Sequence, residues 1–154
     1  MQIRIRPAAL ADLVAVIEIV QAAYTPYVSR IGREPAPMLD NYEVLISDGR
    51  VTVAERDDVV LGLVVLVPQP DALRLDNVAV APDAQGGGVG KRLLRFADDA
   101  AIAAGYDFIK LYTNVAMVEN IALYTRIGYV ETHRANDSDL NRIYMRKDLR
   151  GSAT

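Results

Sequence analysis

Residues Gln85, Gly86, Gly87, Gly88, Val89, Gly90 and Lys91 place four glycines within five positions, immediately ahead of a segment with helical periodicity. Backbone without side chains at a helix start presents several N–H groups in one direction and adds the positive end of the helix dipole. The chemistry that this spacing offers is the binding of a phosphate. A tight strand-to-helix turn alone needs one or two glycines, not four. The Walker A pattern G-x-x-x-x-G-K-[ST] fails at Gln85, which stands at its first glycine, and at Arg92, which stands at its hydroxyl. The dinucleotide pattern G-x-G-x-x-G begins at Gly86 and Gly88 but meets Lys91 at its third glycine. The pattern [QR]-x-x-G-x-[GA] is met by Gln85, Gly88 and Gly90.

A strand must deliver this loop and a helix must follow it. LRLDNVAV at 73–80 reads as the strand. Val89, Leu93, Phe96, Ala97, Ala100 and Ala104 recur at helical steps up to a stop at Gly105. Upstream, QIRIRP alternates as a strand ending at Pro7, and residues 8–24 carry a helical pattern. The segment 25–37, with Pro26, Gly32, Pro35 and Pro37, reads as a loop or broken helix, followed by a short helix MLDNYEVLIS. RVTVAE and VVLGLVVLV form a hairpin across Asp57 and Asp58. Downstream come a strand YDFIKLYT, a helix from about Val118 to Ile127 stopped by Gly128, and an antiparallel pair, YVETHR with NRIYMRKDL, around a polar loop. The tail RGSAT is expected to fray. The pattern implies one domain over residues 1–150, a mixed α/β sheet whose segment 73–113 forms a βαβ-type unit.

Composition removes several classes of function. The 17 basic and 20 acidic residues are mixed along the chain and leave a net charge of -3, so no broad cationic field invites nucleic acid or an anionic membrane. Cysteine is absent and His133 is the single histidine, which argues against a metal site and against a cysteine nucleophile. The opening residues lack the apolar core and cleavage site of a signal peptide, so the expected location is the cytoplasm. The longest apolar run, 59–68, is about half of a membrane span and reads as a buried strand.

The segment LDNVAVAPDAQGGGVGKRLL resembles the acetyl-CoA-binding segment of the GNAT family, the GCN5-related N-acetyltransferases, and ENIALYTRIGYVE is similar to the family's later helix and strand. The specific match covers residues 73–131. The resemblance implies a mostly antiparallel mixed sheet with helices on both faces, and acetyl-CoA as the acyl donor. It puts the pyrophosphate on the backbone N–H groups of Gln85 through Lys91, and the pantetheine arm on the backbone of Val78, Ala79 and Val80, whose side chains belong to the core.

Acetyl transfer to an amine needs a neutral nucleophile, support for a developing oxyanion and a proton for the departing thiolate. The family's expected oxyanion donor is a backbone N–H near Val78. A thiol pKa of about 8.5 suits a phenol near 10 as the acid, and Tyr124 matches the family's tyrosine in that role. Asn120, one helical turn earlier, shares its face. Where many members carry an asparagine seven residues before the tyrosine, this chain has Met117, so Asn120 or Asn114 is left to supply the amide contact. Asp76, a carboxylate within an apolar strand, is the candidate base, with a water-relayed base as the alternative. His133 reads as a solvated residue at the start of the polar loop.

The walls of an acceptor site are expected in the 25–37 and 133–142 loops. Arg30 and Arg33 either clamp a carboxylate or are solvated, and Tyr24, Tyr27 and Tyr42 either line a pocket or pack in the core. The main expectation is an N-acetyltransferase acting on a small-molecule amine by direct attack in a ternary complex. The alternatives are a protein N-terminal or lysine acetyltransferase, a non-catalytic acyl-CoA sensor, and a nucleotide-binding module. Sheet edges make a homodimer a further expectation.

Overall fold

The computed structural model describes residues 2–137 and 140–149; the tail RGSAT lies outside the described residues. Alternating, β-branched segments form β1 (Arg4–Pro7), β2 (Val51–Arg56), β3 (Val59–Pro68), β4 (Leu73–Val80), β5 (Phe108–Asn114), β6 (Val130–Asp137) and β7 (Leu140–Asp148). They hydrogen-bond in the order β1-β2-β3-β4-β5-β7-β6. The β1/β2, β2/β3, β5/β7 and β6/β7 pairs are antiparallel. Parallel pairing joins β4 to β5 at Leu73↔Ile109 and Arg74↔Lys110. Asp57 and Asp58, with φ of 54° and 66°, give the two-residue β2–β3 turn the left-handed geometry that matches strand twist.

The chain forms two compact units, one of Met1–Val67 with Leu75–Ala97, the other of Pro68–Arg74 with the chain from Asp98 onward. In the first, α1 (Leu13–Ile31) buries Val16, Ile19, Val20 and Tyr24. The expected break at residue 25 does not occur. The helix runs through Pro26 and stops at Gly32, whose φ is 85° and whose N–H donates to the Val28 carbonyl at 2.8 Å. Pro26 and Ala22 both lie on the exposed side, so the carbonyl that loses its intrahelical partner there meets water. The connection that follows contains a 3-10 turn, Ala36–Leu39, and α2 is shorter than expected, Tyr42–Ser47. Asn41 sets that start, its Oδ1 accepting from Val44 N at 3.2 Å. Among the described residues no helix is long and apolar enough to cross a membrane.

The linking helix α3 (Val89–Ala103) buries Val89, Leu93, Leu94, Ala97 and Ala101 on one stripe. In the second unit α4 (Val118–Arg126) precedes the β6–β7 hairpin. Where a polar loop is expected over 133–142, residues 133–137 and 140–142 are strand, and 138 and 139 lie outside the described residues. His133 stacks on Tyr144 at 4.2 Å, Tyr144 lies 5.5 Å from Tyr112, and the Arg142 guanidinium sits 4.7 Å over the Tyr112 ring. Cross-strand ring pairs of this kind hold a polar segment in the ladder, so His133 is a sheet residue, not the start of a loop.

Candidate active site

In the first unit, β4 ends in a 3-10 turn, Pro82–Ala84, and the glycines carry the chain into α3. Gly86 and Gly88 have φ of 87° and 85°, a region that glycine enters without strain. A Cβ at either position would have no heavy atom within 4 Å, so the backbone lies open on that side. The bond from Arg92 N to Gly88 O, 3.1 Å, opens the helical ladder. The N–H groups of Val89, Gly90 and Lys91 precede it and have no intrahelical acceptor. Two other N–H groups turn inward within the loop, from Gln85 to Pro82 O and from Gly87 to Ala84 O, each at 3.4 Å. The Gln85 side chain ties the loop to the strand end, Nε2 donating to Val80 O at 3.3 Å. Amides without an intrahelical acceptor at a helix N-terminus, beside the exposed Gly86, Gly87, Gly88 and Lys91, fit a pyrophosphate.

Gly62, a residue the sequence reading passed over, adjusts the fit of α3 against the strands. A Cβ there would stand 2.9 Å from Ala79 O, 3.1 Å from Val89 Cγ1 and 3.2 Å from Leu93 Cδ1. Its signal was a lone glycine in an otherwise unbroken apolar strand, which marks close backbone approach. Val78 and Ala79 are buried and Val80 is half-buried.

Asp76 is half-buried, whereas its neighbour Asn77 is 2% exposed and hydrogen-bonded through both its side-chain oxygen and its side-chain nitrogen. Tyr24 Oη donates to Asn77 Oδ1 at 2.7 Å and lies 3.1 Å from Val78 O, and Asn77 Nδ2 donates to Tyr42 Oη at 2.8 Å. Tyr42 Oη in turn donates to Pro37 O. Burial pushes the Tyr42 phenol well above its ordinary value, helped by the charges of Asp40 and Asp76, so it remains a donor. Sequence alone leaves Tyr24 and Tyr42 between pocket and core and does not single out Asn77. Its signal was the inward register Leu73, Leu75, Asn77, Ala79, in which one polar residue interrupts an apolar face. Tyr27 lies beside Arg30 at the end of α1, with the guanidinium 5.0 Å over its ring.

In the second unit, Tyr124 is buried in α4, its ring 5.6 Å from that of Tyr129, and Asn120 stands half-buried one turn earlier on the same helix. Asn120 lies within the first turn of α4 and does not cap it; Met117 occupies the N-cap without a side-chain bond. Asn114 closes the turn ahead of the helix, its Oδ1 accepting from Ala116 N at 2.8 Å. Met117 is buried, with the Thr113 hydroxyl 3.4 Å from its sulfur, so it fills space where the commoner pattern carries an amide.

The acetyltransferase (GNAT) domain family matches residues 47–131. A curated relative, an IAA acetyltransferase of Azospirillum brasilense, is 32% identical over 96 residues, which make up 61% of this chain and 63% of that protein. The chain therefore matches less than two thirds of that relative's length. The ribosomal-protein-S18-alanine N-acetyltransferase of Escherichia coli superposes with a TM-score of 0.74 at 22% identity, covering 96% of this chain and 94% of that one. The PaiA N-acetyltransferase of Thermoplasma acidophilum, solved with coenzyme A, also superposes with a TM-score of 0.74, at 18% identity over 96% and 99% of the two chains. Sheet order, glycine turn and these neighbours define an N-acetyltransferase fold. The chain belongs to the GNAT acetyltransferase family, whose match spans more than half of it.

Proposed function

We propose that the chain transfers the acetyl group of acetyl-CoA to a primary amine of a small molecule, by direct attack in a ternary complex. The observation that carries the proposal is the open glycine turn ahead of α3, where Gly86 and Gly88 hold positive φ and leave unobstructed backbone at a helix N-terminus. Gln85 through Lys91 hold the donor's pyrophosphate, Val78, Ala79 and Val80 its pantetheine arm, and Asn120 contributes an amide contact. The thioester supplies the acyl group. As the N–C bond forms and the C–S bond breaks, the Val78 N–H supports the oxyanion, Asp76 takes the amine proton and Tyr124 protonates the departing sulfur. With no cysteine in the chain, an acyl-cysteine intermediate has no carrier. A small acceptor is supported by the likeness to the A. brasilense protein, and a cationic one by the carboxylates Asp40 and Asp76 close to Tyr42.

Calorimetric titration with acetyl-CoA tests the donor site. Gly87 is the clean position for a charge, because its φ is not positive and an added Cβ would meet only Ala84 O, at 3.5 Å. Gly87→Glu is expected to weaken acetyl-CoA by about 100-fold, equivalent to roughly 2.7 kcal/mol of charge repulsion and blockage. Tyr124→Phe should lower kcat by about 100-fold and leave donor affinity unchanged. Absence of acetyl-CoA binding to the wild type overturns the donor assignment. Binding without CoA release, across alkylamines, amino acids and peptide N-termini, would instead make the protein an acyl-CoA sensor.

A further inference from the structure

The first unit contains a chain of hydrogen bonds with one consistent direction. The Tyr24 hydroxyl gives its proton to the Asn77 carbonyl oxygen, the Asn77 amide gives one to Tyr42 Oη, and the Tyr42 hydroxyl gives its own to Pro37 O. Turning the amide round would draw the Tyr42 proton to Asn77 and strip Pro37 O of its donor, so the Pro37 end of the chain fixes the amide's orientation. Tyr24 and Tyr42 are each 4% exposed and Asn77 2%, so the chain is shielded from water up to its part-buried end at Pro37 O. Four separate pieces of backbone meet here: α1 through Tyr24, α2 through Tyr42, the 3-10 turn through Pro37, and β4 through Asn77. Tyr24 also reaches Val78 O, on the residue assigned to the donor and oxyanion. Apolar residues could fill the same volume. What they could not do is fix the position of the 32–41 connection along β4, because apolar contact has no direction and hydrogen bonds do.

We infer that Asn77 is a positioning residue that locks the 32–41 connection, as the acceptor-binding wall, in register with Asp76 and Val78 on β4. The inference rests on the acetyltransferase reading above. Asn77 acts through Tyr24 and Tyr42 and has no contact with the reacting atoms. Losing it shifts the wall that holds the amine and leaves the donor-binding turn in place, since Gln85 through Lys91 make none of these bonds.

The test compares wild type, Asn77→Leu and Tyr42→Phe in steady-state turnover and in amide hydrogen exchange. The acceptor is the fastest amine from a panel of alkylamines, amino acids and short peptides. Asn77→Leu should raise the amine KM about tenfold or more, the equivalent of one or two net hydrogen bonds, and speed exchange selectively over 32–47. Tyr42→Phe keeps the ring and its packing, so it reports even if Asn77→Leu folds poorly; a rise of about threefold is expected. The Kd for acetyl-CoA should stay within about twofold in both. Unchanged amine KM and unchanged exchange, or acetyl-CoA affinity falling in step with the amine KM, overturns the inference. If wild type binds acetyl-CoA but acetylates nothing, the acetyltransferase reading fails separately, and exchange over 32–47 still decides whether Asn77 locks that connection.

Discussion

Tyr42 in the first unit and Tyr129 in the second are both buried phenols whose titration is pushed upward, chiefly by loss of water, yet their hydroxyls are treated differently. Tyr42 Oη accepts from Asn77 and donates to Pro37. Tyr129 Oη, on a residue 1% exposed, has no hydrogen-bond partner among the described residues. Its neighbour Asp98 is bonded through Oδ2 to Lys147 and leaves Oδ1 buried without a partner among the described residues. The difference separates burial from role. A hydroxyl with both partners specifies where its neighbours stand, whereas an unpartnered one adds only a desolvation penalty to what a phenylalanine would do.

The largest effect is expected where the first unit is tightest. Gly62→Val drives a branched side chain toward the Ala79 carbonyl and the first turn of α3, and should destabilise by about 3 kcal/mol, seen as a lower midpoint in urea. Acetyl-CoA affinity should fall as well, because the displaced groups are β4 backbone and the helix start behind the glycines. A midpoint close to wild type would mean that the contact at Gly62 relaxes easily. Next comes Tyr42→Phe, which removes one donor and leaves a buried Asn77 N–H unpaired. A loss of about 2 kcal/mol is expected in the same assay.

These two positions also show where the sequence was and was not readable. The glycine turn was legible because its chemistry is local: backbone conformation, helix start and N–H groups all sit within Gln85–Lys91. The same holds for the Asp57–Asp58 turn and the Gly105 and Gly128 stops, all at positive φ. Asn77 was not, because its partners lie 53 and 35 residues away at Tyr24 and Tyr42, and no local pattern announces a bond across that distance. Pro26 was read by its intrinsic cost, which the burial of Tyr24 and the solvated side of α1 override. The polar stretch after His133 was read by composition, while its strand depends on rings carried by β5 and β7. Gly62 was overlooked because the α3 residues that crowd it, Val89 and Leu93, lie far along the chain.

Acid unfolding sharpens the comparison with a smaller effect. In the first unit Arg6 hydrogen-bonds Asp12 at 2.8 and 3.0 Å and Glu55 at 3.0 Å, and holds both carboxyls below their ordinary values. A carboxyl lowered in the folded state stabilises above its unfolded pKa of about 4, and that contribution disappears as pH falls through the folded value. Asp12→Asn should therefore cost less than about 1 kcal/mol at pH 7, given solvent screening, and flatten the decline of stability below about pH 4. An unchanged slope would assign the acid sensitivity to other carboxylates.

The smallest effect is the most discriminating, because burial alone predicts the opposite result. Tyr129→Phe keeps the ring against Tyr124 and removes an oxygen with no partner among the described residues. With no hydrogen bond to lose and a buried dipole relieved, stability should change by less than about 0.5 kcal/mol or rise slightly, against the loss of about 2 expected at Tyr42. Equal losses at the two tyrosines would show that Tyr129 Oη and Asp98 Oδ1 share a bridging water, which needs polar partners such as these two atoms offer. The second corner would then be as fully bonded as the first, and hydrogen-bond completeness would no longer distinguish the residues proposed to position an acceptor wall from those that merely fill the core.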